Sequence, residues 1–367
     1  MSNSNNIVID ARRLRETTGR YVRELLNNLQ IIDNANHYHI LIHQKDVGHW
    51  QPGAENFELH VVPWDHYTLG EQFGLKRYIK KLKPDLVHFT MPQQPYFYTG
   101  EKITTIHDLT LVKFNNPSKN RLVYLFKKQI FKTLLKKVAK TSEIILTDAE
   151  FTRAEILSYA NIPAEKIVIA HPASDAMAAK PQVYGPAENK QYIMYVGNVF
   201  PYKNIPRLIE AHQKLLSDRP DLYLFVVGKK DKDVERLENL VGQNAYSQVH
   251  FTGFVSEQEL VWLYKNAKAY VFPSLSEGFG MPGLEAMQFD LPVVSSDATC
   301  LPEIYGGAAH YFDPESVEEM TKSINEVLTD ENLRQNLISN GRSQIKKYSW
   351  AKMSKHINEQ YSKLLGN

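Results

Sequence analysis

From residue 7 onward, apolar runs of strand length alternate with longer stretches in which apolar residues recur at helical spacing among charged ones. In the first half the runs fall at 7–10, 39–43, 59–62, 86–89, 103–107, 144–147 and 167–170. Helices are predicted over 20–29, 72–82, 121–139 and 149–159. The second half restarts the rhythm with runs at 192–197, 222–228, 249–252, 269–273, 292–295 and 309–312. Strands alternating with amphipathic helices predict an α/β chain with parallel sheets. Between the halves, 172–190 is poor in large apolar side chains and carries Ala-Met-Ala-Ala-Lys-Pro and Gly-Pro, so it reads as a linker. The expected layout is a first domain over 1–175, a second over 176–349, and a final helix over 350–367 that returns to the first. Two doubly wound domains of this kind bind ligands at the carboxyl ends of their strands.

The most informative segment follows the run at 269–273. Glu277-Gly-Phe-Gly-Met-Pro-Gly-Leu-Glu285 is a glycine loop opening into a helix, which aims unpaired backbone N–H groups at one point and suits a diphosphate. Two glutamates bracket that point. Were all eight steps helical, they would span about 12 Å. A second strand-end glycine lies in Gly197-Asn-Val-Phe-Pro-Tyr-Lys203, with the lysine just ahead of a helix. A third glycine, in Asp10-Ala-Arg-Arg-Leu-Arg-Glu-Thr-Thr-Gly19, also precedes an amphipathic helix. Each of the last two also reads as an ordinary turn or loop when taken alone.

Composition narrows the field. With 367 residues, 43% hydrophobic and 23% charged, the chain has enough apolar content for two cores, and a net charge of +2 supplies no global field for nucleic acid. The single cysteine, Cys300, excludes an intramolecular disulfide and a cysteine-rich zinc site. Met-Ser-Asn-Ser-Asn-Asn lacks the basic and apolar parts of a signal peptide, and no apolar run is long enough to span a bilayer, so a cytoplasmic location is expected. A dinucleotide-binding oxidoreductase is disfavoured, because the run at 7–10 is not followed by Gly-X-Gly-X-X-Gly.

The ordered set Gly-Asn-Val-Phe-Pro-Tyr-Lys-Asn, Phe-Thr-Gly253-Phe-Val, Phe-Pro-Ser-Leu-Ser-Glu-Gly-Phe-Gly-Met-Pro-Gly-Leu-Glu-Ala-Met and Leu-Pro-Glu303 resembles glycosyltransferase family 4. Ile-His107-Asp108-Leu and Thr147-Asp-Ala-Glu-Phe-Thr-Arg153 extend the resemblance over nearly the whole chain, and it is strongest to bacterial polysaccharide mannosyltransferases. The resemblance implies the GT-B architecture, two Rossmann-like domains facing a central cleft. It also implies retaining transfer of a hexosyl group, with GDP-mannose as first choice of donor and a UDP-sugar as second, to a saccharide or lipid-linked glycan.

By the same resemblance, Glu285 holds the ribose, Glu277 faces the donor sugar, and Gly278, Phe279, Gly280 and Met281 grip sugar and diphosphate. Lys203 offsets leaving-group charge, Gly197 and Asn198 form part of the donor loop, and Phe254 and Val255 line the base pocket. His107 stands by the sugar, and Gly19 leaves room for the diphosphate. No metal or other cofactor is expected, since no Asp-X-Asp motif of the kind that holds a metal-bound diphosphate is read in the chain. Tyr202 and Asn198 stand where relatives often carry cations or threonine, Ala149 where serine is common, and Gln288-Phe289-Asp290 replaces Ala-X-Gly.

A hydrolase or epimerase of nucleotide sugars on the same fold is the alternative enzyme, and would act without an acceptor. A non-catalytic sugar-binding subunit would bind donor without turnover. The stretch 121–140 carries seven basic residues and no acidic one, with Val123, Phe126, Ile130, Leu134 and Val138 on one stripe. Together with Lys76-Arg-Tyr-Ile-Lys-Lys-Leu-Lys83 it leaves two readings open, a core-facing helix with solvated lysines and peripheral docking on an anionic inner membrane face.

Overall fold

The computed structural model describes residues 4–16, 18–114, 121–174 and 177–366, and the side chains of all of these except 121–124, 126 and 127. All thirteen strands expected from the apolar runs form. In the first sheet, β1 (Asn6–Asp10), β2 (His37–His43), β3 (Phe57–Val62), β4 (Leu86–Phe89), β5 (Lys102–Thr105), β6 (Ile144–Thr147) and β7 (Ile167–Ile169) lie in the order β3-β2-β1-β4-β5-β6-β7. In the second, β8 (Gln191–Val196), β9 (Leu222–Val227), β10 (Val249–Gly253), β11 (Ala269–Phe272), β12 (Val293–Ser296) and β13 (Ala309–Phe312) lie in the order β10-β9-β8-β11-β12-β13. Neighbouring strands in both sheets are parallel. Strands β4, β6, β11 and β12 are buried at every residue, which is why apolar residues stand at consecutive positions in them instead of alternating with exposed polar ones. In each sheet the first and fourth strands are neighbours and the winding reverses between them. Doubly wound sheets bind ligands beyond the strand carboxyl ends at that reversal.

Contacts divide the chain into two compact units. One comprises Met1–Val112, Leu125–Pro172 and Ser349–Asn367; the other comprises Lys113–Tyr124 and Ala173–Tyr348. The helix Trp350–Leu365 therefore belongs to the unit in which the chain begins. Its Tyr361 is fully buried and its hydroxyl bonds His88 Nδ1 at 2.6 Å. The bonding continues from His88 Nε2 to Thr105 Oγ1 at 2.8 Å and on to the Tyr21 hydroxyl at 3.1 Å. Burial drives the His88 imidazole down to about 3, so it is neutral, and the chain of bonds occupies both of its ring nitrogens.

Three expectations change. The helix expected over 72–82 opens as a π-helical turn, Gly70–Leu75, before becoming α-helical over Lys76–Lys81. The Trp64 ring packs where a Cβ on Gly70 or Gly74 would stand, so the wide turn lies against an indole. The linker is shorter than 172–190, because Gln182 N–H bonds the Gln258 carbonyl and Tyr184 packs edge-on against Phe225 and His250 of the second sheet. The basic helix forms as Arg121–Thr141, but its apolar stripe does not face one way. Leu134 and Val138 are buried with Phe131 and Leu135, whereas Ile130 is exposed; the side chains of Val123 and Phe126 lie outside the described residues. Phe131 and Leu135 pack with Ile106, Ile145, Ile156 and Ile167, so this part of the helix covers the first sheet.

A buried charge cluster at the end of β1 was not foreseen. The Arg12 guanidinium donates to Asp10 from Nε (2.8 Å) and Nη2 (2.7 Å), to Glu71 (2.9 Å) and to the Trp64 carbonyl (2.9 Å). His66 Nδ1 adds a bond to Glu71 at 2.9 Å. Burial alone would raise both carboxyls. The Arg12 charge at Asp10, and the His66 bond with Arg12 at Glu71, outweigh it and hold both below the ordinary range. Their stabilising effect is therefore complete above about pH 5 and lost as pH falls through the lowered values. Arg12→Ala strands two buried carboxylates and is expected to cost about 3–5 kcal/mol of unfolding free energy at neutral pH, read as a fall in urea midpoint by tryptophan fluorescence. The deficit should shrink on acidification as those carboxyls protonate.

Candidate functional site

In the second unit the reversal lies between β8 and β11, and the loops that follow these strands carry the expected donor residues. After β8, Gly197 has φ 145°, and the Tyr195 hydroxyl lies where its Cβ would be, so only glycine fits without displacing the ring. That hydroxyl donates to the Asn198 carbonyl at 2.6 Å, and Asn198 Oδ1 accepts from Phe200 N–H at 3.4 Å. The Asn198 amide thus braces its own turn. The chain then makes a short helical turn, Pro201–Lys203. Asn204, left-handed at φ 61°, starts the helix Ile205–Leu215.

After β11, the stretch from Pro273 to Gly280 is held by its neighbours. Asn204 Nδ2 donates to the Pro273 carbonyl at 3.0 Å, Leu275 N–H donates to the Tyr202 carbonyl at 2.7 Å, and the Ser296 hydroxyl donates to the Ser274 carbonyl at 2.6 Å. Glu277 N–H donates to Thr299 Oγ1 at 3.1 Å, and Cys300 Sγ–H donates to the Glu277 carbonyl at 3.3 Å. With its backbone fixed on both sides, the Glu277 carboxylate takes both bonds from Lys203 Nζ, at 2.6 and 2.9 Å. Both side chains are nearly buried, 13% and 11% exposed, and the ammonium also lies over the Tyr202 and Phe272 rings. The pair joins residues 74 apart in sequence.

Only part of the Glu277–Glu285 segment is helical. Gly280, at φ 93°, is the N-cap of the helix Met281–Gln288, which carries proline in its first turn, so the 12 Å all-helical spacing does not hold. The Tyr305 hydroxyl donates to the Gly280 carbonyl at 2.5 Å, and its ring occupies the space that a Cβ on Gly280 or Gly283 would need. Gly278 is half-buried, and Phe279 is buried edge-on against Tyr348. Glu285 is buried at 8% exposure and accepts from the Tyr264 hydroxyl at 3.2 Å. The helix ends where Phe289 stacks on Tyr264. Asp290 takes the left-handed conformation at φ 56°, fixed by two 2.7 Å bonds from Arg342. Phe254, by contrast, is 88% exposed just beyond β10, next to the half-buried Val255. Asp231-Lys-Asp233 has Asp-X-Asp spacing, but Asp231 caps the helix Lys232–Gln243 and Asp233 pairs with Arg236.

In the first unit His107 follows β5. Its Nδ1 lies 2.9 and 3.1 Å from the two oxygens of Asp148, which follows the adjacent β6, and the Tyr21 ring meets it edge-on at 4.7 Å. Asp148 is in turn anchored through its carbonyl, which accepts from His171 Nδ1 at 2.7 Å. Burial works against a charged imidazole, but the Asp148 carboxylate outweighs it and raises His107 above its ordinary value. Its Nε2 is buried without a hydrogen bond. Gly19 is required by its own chain: a Cβ there would overlap the Leu14 carbonyl. Asp148 was missed, although the β5–β6 register, Thr105 opposite Leu146, continued by two residues sets His107 beside it.

Residues 177–344 match the profile of the glycosyl transferases group 1. The chain is 33% identical over 273 residues to O-antigen chain mannosyltransferase B of Escherichia coli, covering 70% of each protein. It belongs to the group 1 glycosyltransferases. The serotype-specific mannosyltransferase WbdA of Escherichia coli is 26% identical over 389 residues, which is 97% of this chain and 46% of that protein. Sucrose-phosphate synthase from Thermosynechococcus elongatus superposes with a TM-score of 0.79 at 18% identity over 99% of both chains, which gives this glycosyltransferase the GT-B fold. No helix among the described residues is long and apolar enough to cross a membrane.

Asp148→Asn should lower the His107 titration, because the Asp148 charge is lost and only the Asp108 charge and a backbone bond to Thr90 then work against burial; NMR of the imidazole protons reads this directly. In the wild-type chain the contribution of a raised histidine is full below the ordinary histidine pKa and fades as pH rises through the raised value. The stability gap between wild type and Asp148→Asn should therefore narrow toward alkaline pH.

Proposed function

We propose that this glycosyltransferase moves a hexosyl group, mannose from GDP-mannose by preference, from a nucleotide diphosphate sugar to a saccharide or lipid-linked glycan with retention at the anomeric carbon. The observation that carries this reading is the Lys203–Glu277 pair, held beside the Gly280 helix start at the reversal of the second sheet. Mannose is preferred because the relatives described above are named as mannosyltransferases.

In this reading the diphosphate binds at the helix N-terminus formed by Gly278, Phe279, Gly280 and Met281, where amide dipoles favour an anion. Lys203 shares its charge between Glu277 and the departing phosphate, so positive charge is already fixed where negative charge develops. Glu277 faces the sugar. Glu285 keeps one oxygen on Tyr264 and accepts from the ribose hydroxyls with the other. Phe254 supplies an exposed ring on which the base stacks, beside Val255. His107, whose hold on a proton Asp148 strengthens, donates from Nε2 to the sugar.

The bond from the anomeric carbon to phosphate oxygen breaks, the acceptor oxygen bonds the same face, and the acceptor proton passes to the departing phosphate oxygen. Catalysis then rests on positioning and fixed charge, and Lys203 with the helix dipole takes the place of a metal. Exposed lysines of 121–140 leave peripheral docking on anionic lipid open to a flotation assay, although Lys136 and Lys137 already rest on Tyr159 and Tyr96.

The deciding experiment incubates the protein with a panel of GDP- and UDP-sugars and glycan acceptors, and assigns the product anomer by NMR. An inverted product, free sugar, or interconversion without acceptor overturns the reading. Lys203→Ala is expected to lower kcat about 10²- to 10³-fold. Glu285→Ala should lower kcat/KM for donor roughly tenfold to a hundredfold, the weight of hydrogen bonds to a charged group. Activity should survive EDTA; a large loss restored by magnesium or manganese would defeat the metal-free scheme.

A further inference from the structure

The carboxyl ends of the first sheet's strands lead to His107, but the opposite end of the same sheet carries a different cluster. His37 and His39 are two apart on β2 and so share a face, as do Glu58 and His60 on β3. The parallel register sets His39 opposite Glu58. His39 Nδ1 lies 2.9 Å from His60 Nε2 and 3.4 Å from a Glu58 oxygen, and the other Glu58 oxygen is 3.5 Å from His60 Nε2. Ligands about 2.1 Å from a tetrahedral ion stand roughly 3.4 Å apart, which the two Glu58 separations already match, while the 2.9 Å hydrogen bond between the His39 and His60 nitrogens opens as the ion replaces its proton. The donor atoms of His37, His39 and Glu58 all lie within 4.8 Å of one another, and His60 joins them through its contacts with His39 and Glu58.

We propose that His37, His39, Glu58 and His60 form a binding site for a divalent transition cation of the zinc class. Three imidazoles and one carboxylate are the donor set that such an ion prefers over magnesium or calcium. An outer partner is also in place. His60 Nδ1 bonds the Tyr78 hydroxyl at 3.0 Å, and with its proton donated to that oxygen the ring turns the Nε2 lone pair toward His39 and Glu58. The ion joins β2 to β3, the edge strand of the sheet. It therefore fastens an edge otherwise held on one side only, and it does so apart from the donor residues, all of which lie elsewhere.

The test uses the full chain, stripped with EDTA and dialysed. Zinc is titrated calorimetrically, cobalt is followed by its visible absorption, and Tm is recorded with and without zinc. Expected are saturation at one equivalent, cobalt bands of tetrahedral intensity and a zinc-dependent rise in Tm. Affinity should fall at least tenfold in His37→Ala and in Glu58→Gln, and about tenfold in Tyr78→Phe. Glu58 is exposed and Glu58→Gln preserves its shape, so circular dichroism of the metal-free variant separates lost binding from lost folding. Absence of saturable binding, or affinity unchanged in either His37→Ala or Glu58→Gln, overturns the site.

Discussion

The second unit of this glycosyltransferase depends on one constraint: the buried loop from Pro273 to Gly280 must find partners for its backbone polar groups, because leaving them unpaired away from water is costly. It finds them in side chains and backbone of three other segments. Asn204, Tyr202, Ser296, Thr299, Cys300 and Tyr305 each supply one bond to it. The loop consequently has a defined shape before any ligand arrives, and Glu277 meets Lys203 as a result. Preorganisation of this kind avoids reorientation of dipoles during reaction.

Holding the loop this way has a conformational cost. Thr299, a β-branched residue, sits at φ 56°, where such side chains are rarely found, and strain of this sort amounts to about 1–3 kcal/mol. The strain is offset by the bond its hydroxyl accepts from Glu277 N–H. Gly280 and Gly283 are bound to Tyr305 in a similar way, since the ring fills the volume that side chains at both positions would claim. Any larger residue at 280 or 283 requires a smaller one at 305.

How much of this was legible follows from range. The strands could be read because buried parallel strands are continuous apolar runs bounded by glycine and charge. The glycine loop could be read because its residues are consecutive. What could not be read joins distant positions: Lys203 to Glu277, Arg12 to Glu71, His107 to Asp148. Amphipathic spacing marked the helix at 121–141 but misjudged which of its apolar residues are covered, because Phe131 and Leu135 belong to the buried face and Ile130 does not. The π-helical turn follows from Trp64 against two glycines, a packing event with no local periodic trace. Gly19 was read as making room for a ligand, and its neighbour is the Leu14 carbonyl.

The burial of Tyr361 against His88 bears on how the chain is made. A ribosome releases the first sheet long before the helix Trp350–Leu365 emerges, and His88 Nδ1 lacks its Tyr361 partner until then. The unit that contains the first sheet is thus finished after the other unit, which is contiguous from Ala173 to Tyr348 but for a short earlier piece and can mature during translation.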